Sequence, residues 1–383
     1  MRVAINAWFV DQPTTGSGQY LMHLLQAYAA RSVPDRFLLL VGSEQNIPAS
    51  LTSLGPSFEW ERLRTPLDGR QRHLAKVWFE QVCVPRACRD WGATLLHVPY
   101  WAAPLRSPIP SIVTVHDLIP LLLPAYRGGL LGRLYTALVA YTARRAAAVL
   151  TDSEASRADI VRRLGVPIDR VRAIYLATED RFRPVADHPA LLAPVRDKLG
   201  LPPRYLLYLG GFDVRKNIAR ILQAFAKMEA ADAHLVIAGR LPERDTPFTP
   251  DPRRIAQSLG LTERVRFTGW IDEADKPALY AGADAFLFPS LYEGFGLPAL
   301  EAISCGTPAI VSDTSSLPEV VNGGGLCVDP EDVAALTAAM ERLLRDAPYR
   351  TQLRRAGLEH AARFSWINTA QQTLDAYRAL AIA

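Results

Sequence analysis

The chain has 383 residues, more than one typical domain needs and enough for two domains that each bury a core. Hydrophobic residues make up 49% and charged residues 21% of the chain, a composition that excludes an intrinsically disordered protein and indicates a globular one. The net charge of +4 is spread without a lysine block, which argues against a nucleic-acid partner and leaves an anionic ligand or a membrane surface open.

Cysteine usage and hydropathy bear on the cellular compartment. The four cysteines, Cys83, Cys88, Cys305 and Cys327, form no zinc-type spacing and are interpreted as reduced packing residues. The first residues lack a basic segment followed by a long apolar core, and no window reaches about 18 uninterrupted apolar residues. We therefore predict a cytoplasmic protein, with peripheral contact to the inner face of the membrane left open.

The first half of the chain alternates short apolar runs with helix-period segments, which predicts an α/β domain over residues 1–183. The predicted strands are RVAINAWF, RFLLLVG, TLLHVP, SIVTVHD, AAVLTDS and VRAIYLA. Residues 125–145, AYRGGLLGRLYTALVAYTARR, are predicted as an amphipathic helix that packs on the core, with an acceptor-binding or membrane-facing surface as the alternative.

A proline-rich segment separates this half from the next. Residues 181–205 carry five prolines, which disfavour a continuous helix or central strand and predict a linker with a boundary near residue 183. The strands predicted beyond it are YLLYLGG, HLVIAGR, VRFTG, AFLFPS, PAIVSD and GLCVDP. We predict a second domain over residues 184–364, and a final helix, 365–383, compatible with packing on either domain, including back on the first.

The regular alternation of strands and helices indicates the same architecture twice. Each domain is predicted to contain a parallel sheet covered on both faces, a Rossmann-like doubly wound fold. In open α/β sheets ligands bind beyond the carboxyl ends of the strands. Two such domains facing each other would therefore form a cleft lined by strand-end loops, and the candidate site residues lie in these loops.

In the first domain the candidates are glycines and histidines. Gly16 and Gly18, in TTGSGQY, would let the backbone approach a phosphate or sugar, although a lone G-x-G is equally typical of a flexible loop and lies too far from the first strand for an NAD fingerprint. His116, which ends SIVTVHD, is predicted to donate to a substrate hydroxyl or phosphate, with a histidine satisfied by local backbone as the alternative. His97 has a similar place and is better interpreted as structural.

In the second domain LGGFDVRKN, residues 209–217, is a candidate anion site. Two glycines end a strand, and Arg215 and Lys216 stand just before a helix predicted to begin near Asn217. Helix N-termini and adjacent cations both bind phosphate oxygens. A solvated basic helix start is the alternative.

The segment SLYEGFGLPALEAISCG, residues 290–306, places a glutamate on each side of a glycine-rich turn. Glu293 precedes the predicted helix and is expected to accept hydrogen bonds from sugar hydroxyls, while Glu301, one turn in, is expected to hold a ribose. The alternatives are an exposed loop carboxylate for Glu293 and, for Glu301, a first-turn acid that complements the helix dipole. The amides between them are expected to bind a diphosphate: Gly294, Phe295, Gly296 and Leu297.

Together with the motifs described above, nearly the whole chain resembles the retaining glycosyltransferases of family four, also called glycosyl transferases group 1. EGFGLPALE is similar to the family's E-x7-E motif, and FPSLYEGFGLPALEAISCGTPAIVSD and SSLPEVV support the likeness. The resemblance implies the GT-B fold, with an acceptor-binding first domain and a donor-binding second domain. The HDLIP context of His116 is similar to bacterial mannosyltransferases that use GDP-mannose.

The resemblance also implies roles for individual residues. Glu293 would bind the donor sugar and Glu301 the nucleotide ribose, while Arg215 and Lys216 would contact the phosphates and His116 would be the strand-end histidine. Gly16, Gly18 and Gly211 would join the donor-binding loops. Two departures stand out: many relatives carry Arg at the position of Gly211, and relatives with a G-x-G-R-Y loop carry Arg where this chain has Gln19.

The implied reaction is the transfer of a hexose from a nucleotide diphosphate to an acceptor hydroxyl with retention. Cations aimed at the departing diphosphate should dominate catalysis, and no cofactor or metal is expected. The alternatives from other classes are a GT-B nucleotide-sugar epimerase, a sugar phosphorylase and a non-catalytic nucleotide-binding subunit.

The acceptor is not determined by these patterns. Polysaccharide, lipid-linked and small-molecule acceptors all stay open, and so does the oligomeric state. Tyr100, Trp101 and Asp117 are the candidates for an acceptor surface.

Overall fold

The computed structural model describes residues 1–31, 33–184, 189–230 and 232–381. The strands are β1 (Arg2–Asn6), β2 (Arg36–Gly42), β3 (Phe58–Leu63), β4 (Leu95–Val98), β5 (Ser111–Thr114), β6 (Ala148–Thr151), β7 (Val171–Ala173), β8 (Tyr205–Leu209), β9 (His234–Ala238), β10 (Val265–Gly269), β11 (Ala285–Phe288), β12 (Ala309–Ser312) and β13 (Gly325–Val328).

Helices alternate with these strands along the chain. They are α1 (Gly16–Ala30), α2 (Arg72–Trp78), α3 (Val84–Trp91), α4 (Ile119–Leu122), α5 (Leu130–Arg145), α6 (Glu154–Asp159), α7 (Pro189–Leu199), α8 (Ile218–Ala226), α9 (Pro252–Ser258), α10 (Lys276–Ala281), α11 (Leu297–Ser304), α12 (Leu317–Val321), α13 (Val333–Arg345), α14 (Ala347–Ala361) and α15 (Trp366–Ala381).

The chain forms two compact units. Unit 1 comprises Met1–Leu176 and Ser365–Ala383, and unit 2 comprises Ala177–Phe364. Helix α15 belongs to unit 1 because it packs on α1, where Tyr28 Oη donates to Tyr377 Oη at 3.2 Å. The units divide after Leu176, and the domain boundary near residue 183 stays a prediction.

Each unit contains one fully parallel sheet. The strand order is β3-β2-β1-β4-β5-β6-β7 in unit 1 and β10-β9-β8-β11-β12-β13 in unit 2. In both units the chain starts in the middle of the sheet, moves to one edge, and then returns to build the other side. The order reverses between β1 and β4 and between β8 and β11, and such switch points are where doubly wound folds bind ligands. The predicted fold class is confirmed.

The central strands are buried on both faces, as parallel sheets require. Strand β8 is buried throughout, and the apolar side of α8, with Ile221, Leu222 and Phe225, packs against the sheet. In unit 1 the core gathers residues of β2, β4 and β5 with those of α3 and α5. These cores hold the strand ends, and therefore the loops after them, in place.

Two parts of the chain differ from the sequence prediction. Strand β3, FEWERL, was not predicted, because Glu59, Glu61 and Arg62 interrupt the apolar run that indicates a buried strand, as suits a strand at the edge of the sheet. The proline-rich segment contains α7, so the prediction of a linker without a continuous helix is wrong there, and residues 185–188 lie outside the described residues. Pro189 opens α7, where its missing N–H costs nothing, and Pro194 removes only one helical hydrogen bond.

Helix α5 is core-facing in its second half only. Val139, Ala140 and Ala143 are buried, whereas Leu130 and Leu131 are 74% and 82% exposed. The predicted core-facing helix is thus correct for the last turns and wrong for the first. Among the described helices none is long and apolar enough to cross a membrane.

Candidate active site

The centre of unit 2's candidate site is a three-residue charge cluster at the switch point of the sheet. The loop after β8 ends in a tight turn, Val214–Lys216, that presents two cations. The loop after the neighbouring strand β11 presents Glu293. The loops are joined directly, because the amide of Leu291 donates to the carbonyl of Arg215 at 2.8 Å.

Both cations bind the same carboxylate. Lys216 Nζ lies 2.6 Å from Glu293 Oε1, and Arg215 Nη1 lies 2.6 Å from Glu293 Oε2. Arg215 Nη1 also donates to the Tyr292 carbonyl at 2.8 Å, and Lys216 Nζ sits 4.6 Å from the centre of the Phe288 ring. Glu293 is 8% exposed, so the alternative of a solvated loop carboxylate is wrong.

The electrostatics of the cluster follow from its burial. Burial favours the neutral form of Glu293, but Lys216 and Arg215 outweigh it and hold the pKa of Glu293 below its ordinary value. The pKa of Lys216 is lowered, because burial and the adjacent Arg215 disfavour its charged form more than Glu293 supports it. Asp213 Oδ1 also lies 3.6 Å from Arg215 Nε, so the two cations are matched by two carboxylates, of which only Glu293 is shared. The adjacent Arg215 and Lys216 still repel each other in a poorly solvated position, and an anionic ligand that contacts both would relieve this repulsion.

Helix α11 begins immediately after this cluster. Gly296 is its N-cap residue with φ of 109°, and a Cβ there would meet Leu317 Cδ2 at 2.5 Å, so both conformation and space require glycine. The turn before it is held by Ser316 Oγ, which donates to the carbonyls of Glu293 at 3.0 Å and Phe295 at 2.6 Å. The segment 294–297 therefore forms a rigid approach to a helix N-terminus, with its positive dipole end.

Asn217 is a site residue for which the sequence predicted no role. It has φ of 62° and is buried, and its Nδ2 donates to the carbonyls of Pro289 at 3.0 Å and Pro330 at 2.7 Å. The first bond ties the start of α8 to the loop after β11, which fixes the position of Lys216 relative to Glu293, and the second ties it to the loop after β13. An asparagine directly after two cations at a strand end is compatible with a left-handed cap, a clue available in the sequence.

Glu301 lies in the second turn of α11 and not in the first, so the dipole-complementing alternative is wrong. Tyr280 Oη donates to Glu301 Oε2 at 2.8 Å. Burial raises the pKa of Glu301 to about 7, against the opposing effects of Lys276 and the Tyr280 hydrogen bond. Glu301 therefore changes protonation near neutral pH, unlike Glu293.

Gly211, at the end of β8, is not required by space. A Cβ there would meet Asp213 Oδ2 at 3.5 Å, an ordinary contact, and its φ is not in the left-handed region. A larger side chain would therefore fit at this position.

In unit 1, His116 is held between two acceptors. Its Nδ1 lies 2.8 Å from Asp152 Oδ2, and its Nε2 lies 3.2 Å from the Pro99 carbonyl. Asp152 was missed by sequence reasoning, although it ends the predicted strand AAVLTDS as His116 ends SIVTVHD. Since β5 and β6 are neighbours, these two strand ends meet.

The two N-terminal glycines lie in the first turn of α1 and not in a flexible loop. Thr15 caps the helix by accepting from the amide of Gly18 at 3.2 Å. A Cβ at Gly18 would meet the Gln12 carbonyl at 2.0 Å, so Gly18 is required for packing. A Cβ at Gly16 would meet nothing within 4 Å, which leaves the helix N-terminus open at that residue.

The acceptor candidates of unit 1 separate into different roles. Tyr100 is 4% exposed and donates to Glu80 at 2.9 Å, so its prediction as an acceptor surface is wrong. Trp101 is half-buried and packs against the core, and Asp117 accepts from the amide of Ile119 at 2.9 Å in a local turn. His97 is completely buried, which confirms its structural interpretation.

No group of three or more His, Cys, Asp or Glu side chains that could hold a metal occurs among the residues that the structure describes. Charge at the unit 2 cluster is supplied by side chains and a helix terminus.

Two family models match the chain. The model for glycosyl transferases group 1 matches residues 195–360, and the model for a glycosyl transferase 4-like domain matches residues 15–177. Together they cover most of both units. The chain belongs to the glycosyl transferases group 1. The first model contains the whole charge cluster of unit 2, together with Glu301.

Curated relatives of this glycosyltransferase include two from Escherichia coli. The O-antigen chain mannosyltransferase B is 32% identical over 387 residues, an alignment that covers 97% of this chain and 98% of that protein. The serotype-specific mannosyltransferase WbdA is 32% identical over 279 residues, which cover 71% of this chain and 34% of that protein.

Solved structures confirm the GT-B fold. A sucrose-phosphate synthase from Thermosynechococcus elongatus matches with a TM-score of 0.77 and 26% identity over 99% of both chains. Anabaena HepE, solved with UDP and glucose, matches with a TM-score of 0.76 and 18% identity over 98% of both chains.

Proposed function

We propose that this glycosyltransferase moves a mannosyl residue from GDP-mannose to a hydroxyl of a growing glycan, with retention of anomeric configuration. The observation that carries the proposal is the pairing of Arg215 and Lys216 with the buried Glu293 at the start of α11. The mannosyl group and the glycan acceptor are supported by the names of the relatives, which are O-antigen and serotype-specific mannosyltransferases.

The reaction exchanges one bond at the anomeric carbon for another. The bond from that carbon to the β-phosphate oxygen breaks, and its electron pair leaves with the diphosphate. A bond forms from the same face to the acceptor oxygen, and the acceptor's proton goes to the departing phosphate. Negative charge therefore grows on the diphosphate, and stabilising it is the main task of the protein.

The unit 2 cluster fits that task. In the proposed complex Arg215 and Lys216 bind the diphosphate, and Glu293, which pairs with both of them in the structure, accepts hydrogen bonds from the sugar hydroxyls. The amides at the start of α11 add the helix dipole. Glu301 binds the ribose, and Tyr280 orients its carboxyl group. We propose that these groups act without a metal ion.

The acceptor is expected to bind unit 1, and the exposed start of α5 in that unit is a candidate membrane-binding surface. We propose that the exposed first turns of α5, with Leu130, Leu131 and Leu134, contact an anionic membrane where a lipid-linked glycan would lie. Arg127 and Arg133 flank these leucines, and the segment 127–145 contains no acidic residue. Apolar side chains with basic neighbours are the pattern of interfacial helices.

The donor is tested first by thermal-shift titration with GDP, UDP, ADP and their common sugar conjugates, with and without EDTA. A ligand that binds only the folded state raises the melting temperature, and the shift grows with the logarithm of the ligand concentration divided by Kd. We expect GDP and GDP-mannose to raise the melting temperature, by the same amount with EDTA as without it. A shift with UDP alone would contradict the donor, and a shift that EDTA abolishes would contradict the metal-independent site.

Transfer is then tested with radiolabelled GDP-mannose and a mannose-terminated oligosaccharide. We expect an α-linked product identified by NMR and no turnover without acceptor. Release of free sugar epimer without acceptor would favour the epimerase, and turnover that needs inorganic phosphate would favour the phosphorylase.

The membrane surface is tested by flotation with phosphatidylglycerol and phosphatidylcholine vesicles. We expect binding to the anionic vesicles that is lost in the double variant Leu130→Ser, Leu131→Ser. The control is Ile168→Ser, which removes an exposed apolar side chain elsewhere in unit 1. Equal binding by all three proteins would contradict the surface.

A further inference from the structure

The ring of His116 meets an acceptor at each nitrogen. The oxygen opposite Nε2 belongs to the Pro99 backbone carbonyl, which can only accept, so this contact requires an N–H on Nε2. The oxygen opposite Nδ1 belongs to the Asp152 carboxyl group at 2.8 Å. As a carboxylate, that group also only accepts, and a second N–H on Nδ1 then satisfies it.

We propose that Asp152 is a positioning residue that keeps an N–H on both nitrogens of His116, so that His116 serves glycosyl transfer as a fixed positive charge and not as a base. The part that concerns transfer rests on the proposed function, whereas the protonation of the ring does not.

The groups that face His116 support the cationic ring. Burial lowers the pKa of His116, but the Asp152 carboxylate, the Pro99 carbonyl and Asp117 together raise it above its ordinary value. His97, on the neighbouring strand β4, is neutral, because burial and the nearby His116 lower its pKa to about 3. His97 therefore does not compete for the Asp152 charge.

Tyr20 of α1 restrains the plane of the ring. Its ring centre lies 5.0 Å from that of His116 at an interplanar angle of 74°. Burial raises the pKa of Tyr20, so this neighbour stays neutral. The Tyr20 hydroxyl accepts from Thr114 Oγ1 at 3.4 Å, and Thr114 in turn bonds His97 Nε2 at 2.9 Å. The ring thus has a fixed orientation, and 18% of the His116 side chain stays exposed.

The doubly protonated His116 ring determines where the proton of the acceptor hydroxyl goes. With both nitrogens protonated, His116 has no lone pair to receive the proton of an acceptor hydroxyl. That proton then goes to the departing phosphate, and His116 contributes positive charge, since both of its N–H groups already bond Asp152 and Pro99. A base at this position would instead need Nε2 free of hydrogen, which the Pro99 carbonyl opposes.

The protonation is measured by NMR of the ring nitrogens in the full-length protein labelled with ¹⁵N-histidine. The His116 resonances are assigned by their loss in His116→Gln. We expect both nitrogens to carry hydrogen at pH about 8, above the usual titration range of histidine. In Asp152→Asn we expect one nitrogen to lose its hydrogen at this pH, whereas the control Asp159→Asn, a buried aspartate paired with Arg162, keeps the wild-type pattern.

Turnover is measured on the same variants. We expect kcat to fall roughly 10- to 100-fold in Asp152→Asn, the loss typical of a hydrogen bond to a charged group, with KM for the donor little changed. Asp152→Glu should restore part of both the activity and the ring protonation, and Asp159→Asn should retain both.

The outcomes separate this inference from the proposed function. A His116 ring without hydrogen on Nδ1 or Nε2 in the wild-type protein at pH about 8 overturns the inference. This measurement needs only His116→Gln to fold, because that variant assigns the signals. Ring signals that are identical in wild type and Asp152→Asn also overturn it. Protonation that depends on Asp152 without any sugar transfer would leave the ring assignment intact and contradict the transferase chemistry.

Discussion

The two strand-end sites use polar groups in different ways. In unit 2 two adjacent cations, Arg215 and Lys216, share the buried Glu293, and Asp213 lies 3.6 Å from Arg215. In unit 1 the charges of His116 and Asp152 balance. Behind this pair, hydrogen bonds form a neutral chain of Tyr20, Thr114, His97 and Tyr377. Unit 2 therefore offers two neighbouring cations to an anion, whereas unit 1 fixes the orientation of one ring.

This difference has an energetic basis. Two buried cations next to each other repel, so the unit 2 cluster gains when a diphosphate adds negative charge beside both of them. A closed chain of neutral hydrogen bonds gains nothing from an added ion, but it loses stability when one link is removed. Variants in the two units should consequently differ in their response to nucleotide.

Glu293→Gln should produce the largest effect on stability. It removes the carboxylate that Lys216 and Arg215 share and leaves Arg215 with Asp213 alone, and we expect the free energy of unfolding to fall by about 3 kcal/mol. Added GDP should then raise the melting temperature more than in the wild type, because the ligand replaces the missing charge. Glu229→Gln, at an exposed ion pair, is the control, and an unchanged GDP response would contradict the counter-ion role.

The same carboxylate predicts a pH dependence. Because the folded pKa of Glu293 is below its ordinary value, its contribution is present at neutral pH and is lost as the pH falls through the folded pKa. Urea denaturation at descending pH should show a steeper loss of stability in wild type than in Glu293→Gln. Parallel curves would mean that the cluster does not ionise as described.

Lys216→Ala should lower turnover by about 10² through loss of charge stabilisation on the leaving diphosphate. The matched control is Lys198→Ala, an exposed lysine of unit 2 that bridges Asp272 and Asp275. Steady-state kinetics with GDP-mannose measures both. A rate for Lys216→Ala equal to that of the control would remove Lys216 from the catalytic assignment.

Tyr377→Phe tests the neutral chain of unit 1. The Tyr377 hydroxyl lies 2.6 Å from His97 Nδ1, and its removal leaves a buried nitrogen without a partner, which should cost about 1–3 kcal/mol of unfolding free energy. GDP should stabilise this variant as much as the wild type. Tyr141→Phe, at a half-exposed tyrosine, is the control. A reduced GDP response would contradict the contrast between the units.

Glu301→Gln should have the smallest effect. Because the folded pKa of Glu301 is raised to about 7, stability from this group is fully present below the ordinary pKa of 4.5 and is lost as the pH rises from there through the folded pKa. The variant should therefore lose less stability than wild type between pH about 5 and 7. The melting temperatures across this range measure the difference, and identical slopes would refute the shifted titration.

Much of the architecture could be predicted because local patterns encode it. Every predicted strand of unit 2 exists, since buried parallel strands are short apolar runs bounded by Gly, Pro or Asp. The turn at Gly296 was also predictable, because EGFGLP joins a strand to a helix with proline in its first turn. Strand β3 was not predictable in this way, because charged residues interrupt its apolar run. Helix α7 was not, because its prolines disfavour a helix.

The sequence by itself determined which residues stand at strand ends, and hence that Arg215, Lys216, Glu293 and His116 are candidates. Only the tertiary structure decided their partners. Glu293 meets Lys216 across 77 residues and His116 meets Asp152 across 36, because parallel strands bring distant carboxyl ends to one edge of a sheet. Burial then sets the protonation of these groups, since the cost of an unpaired charge depends on the neighbours that folding supplies.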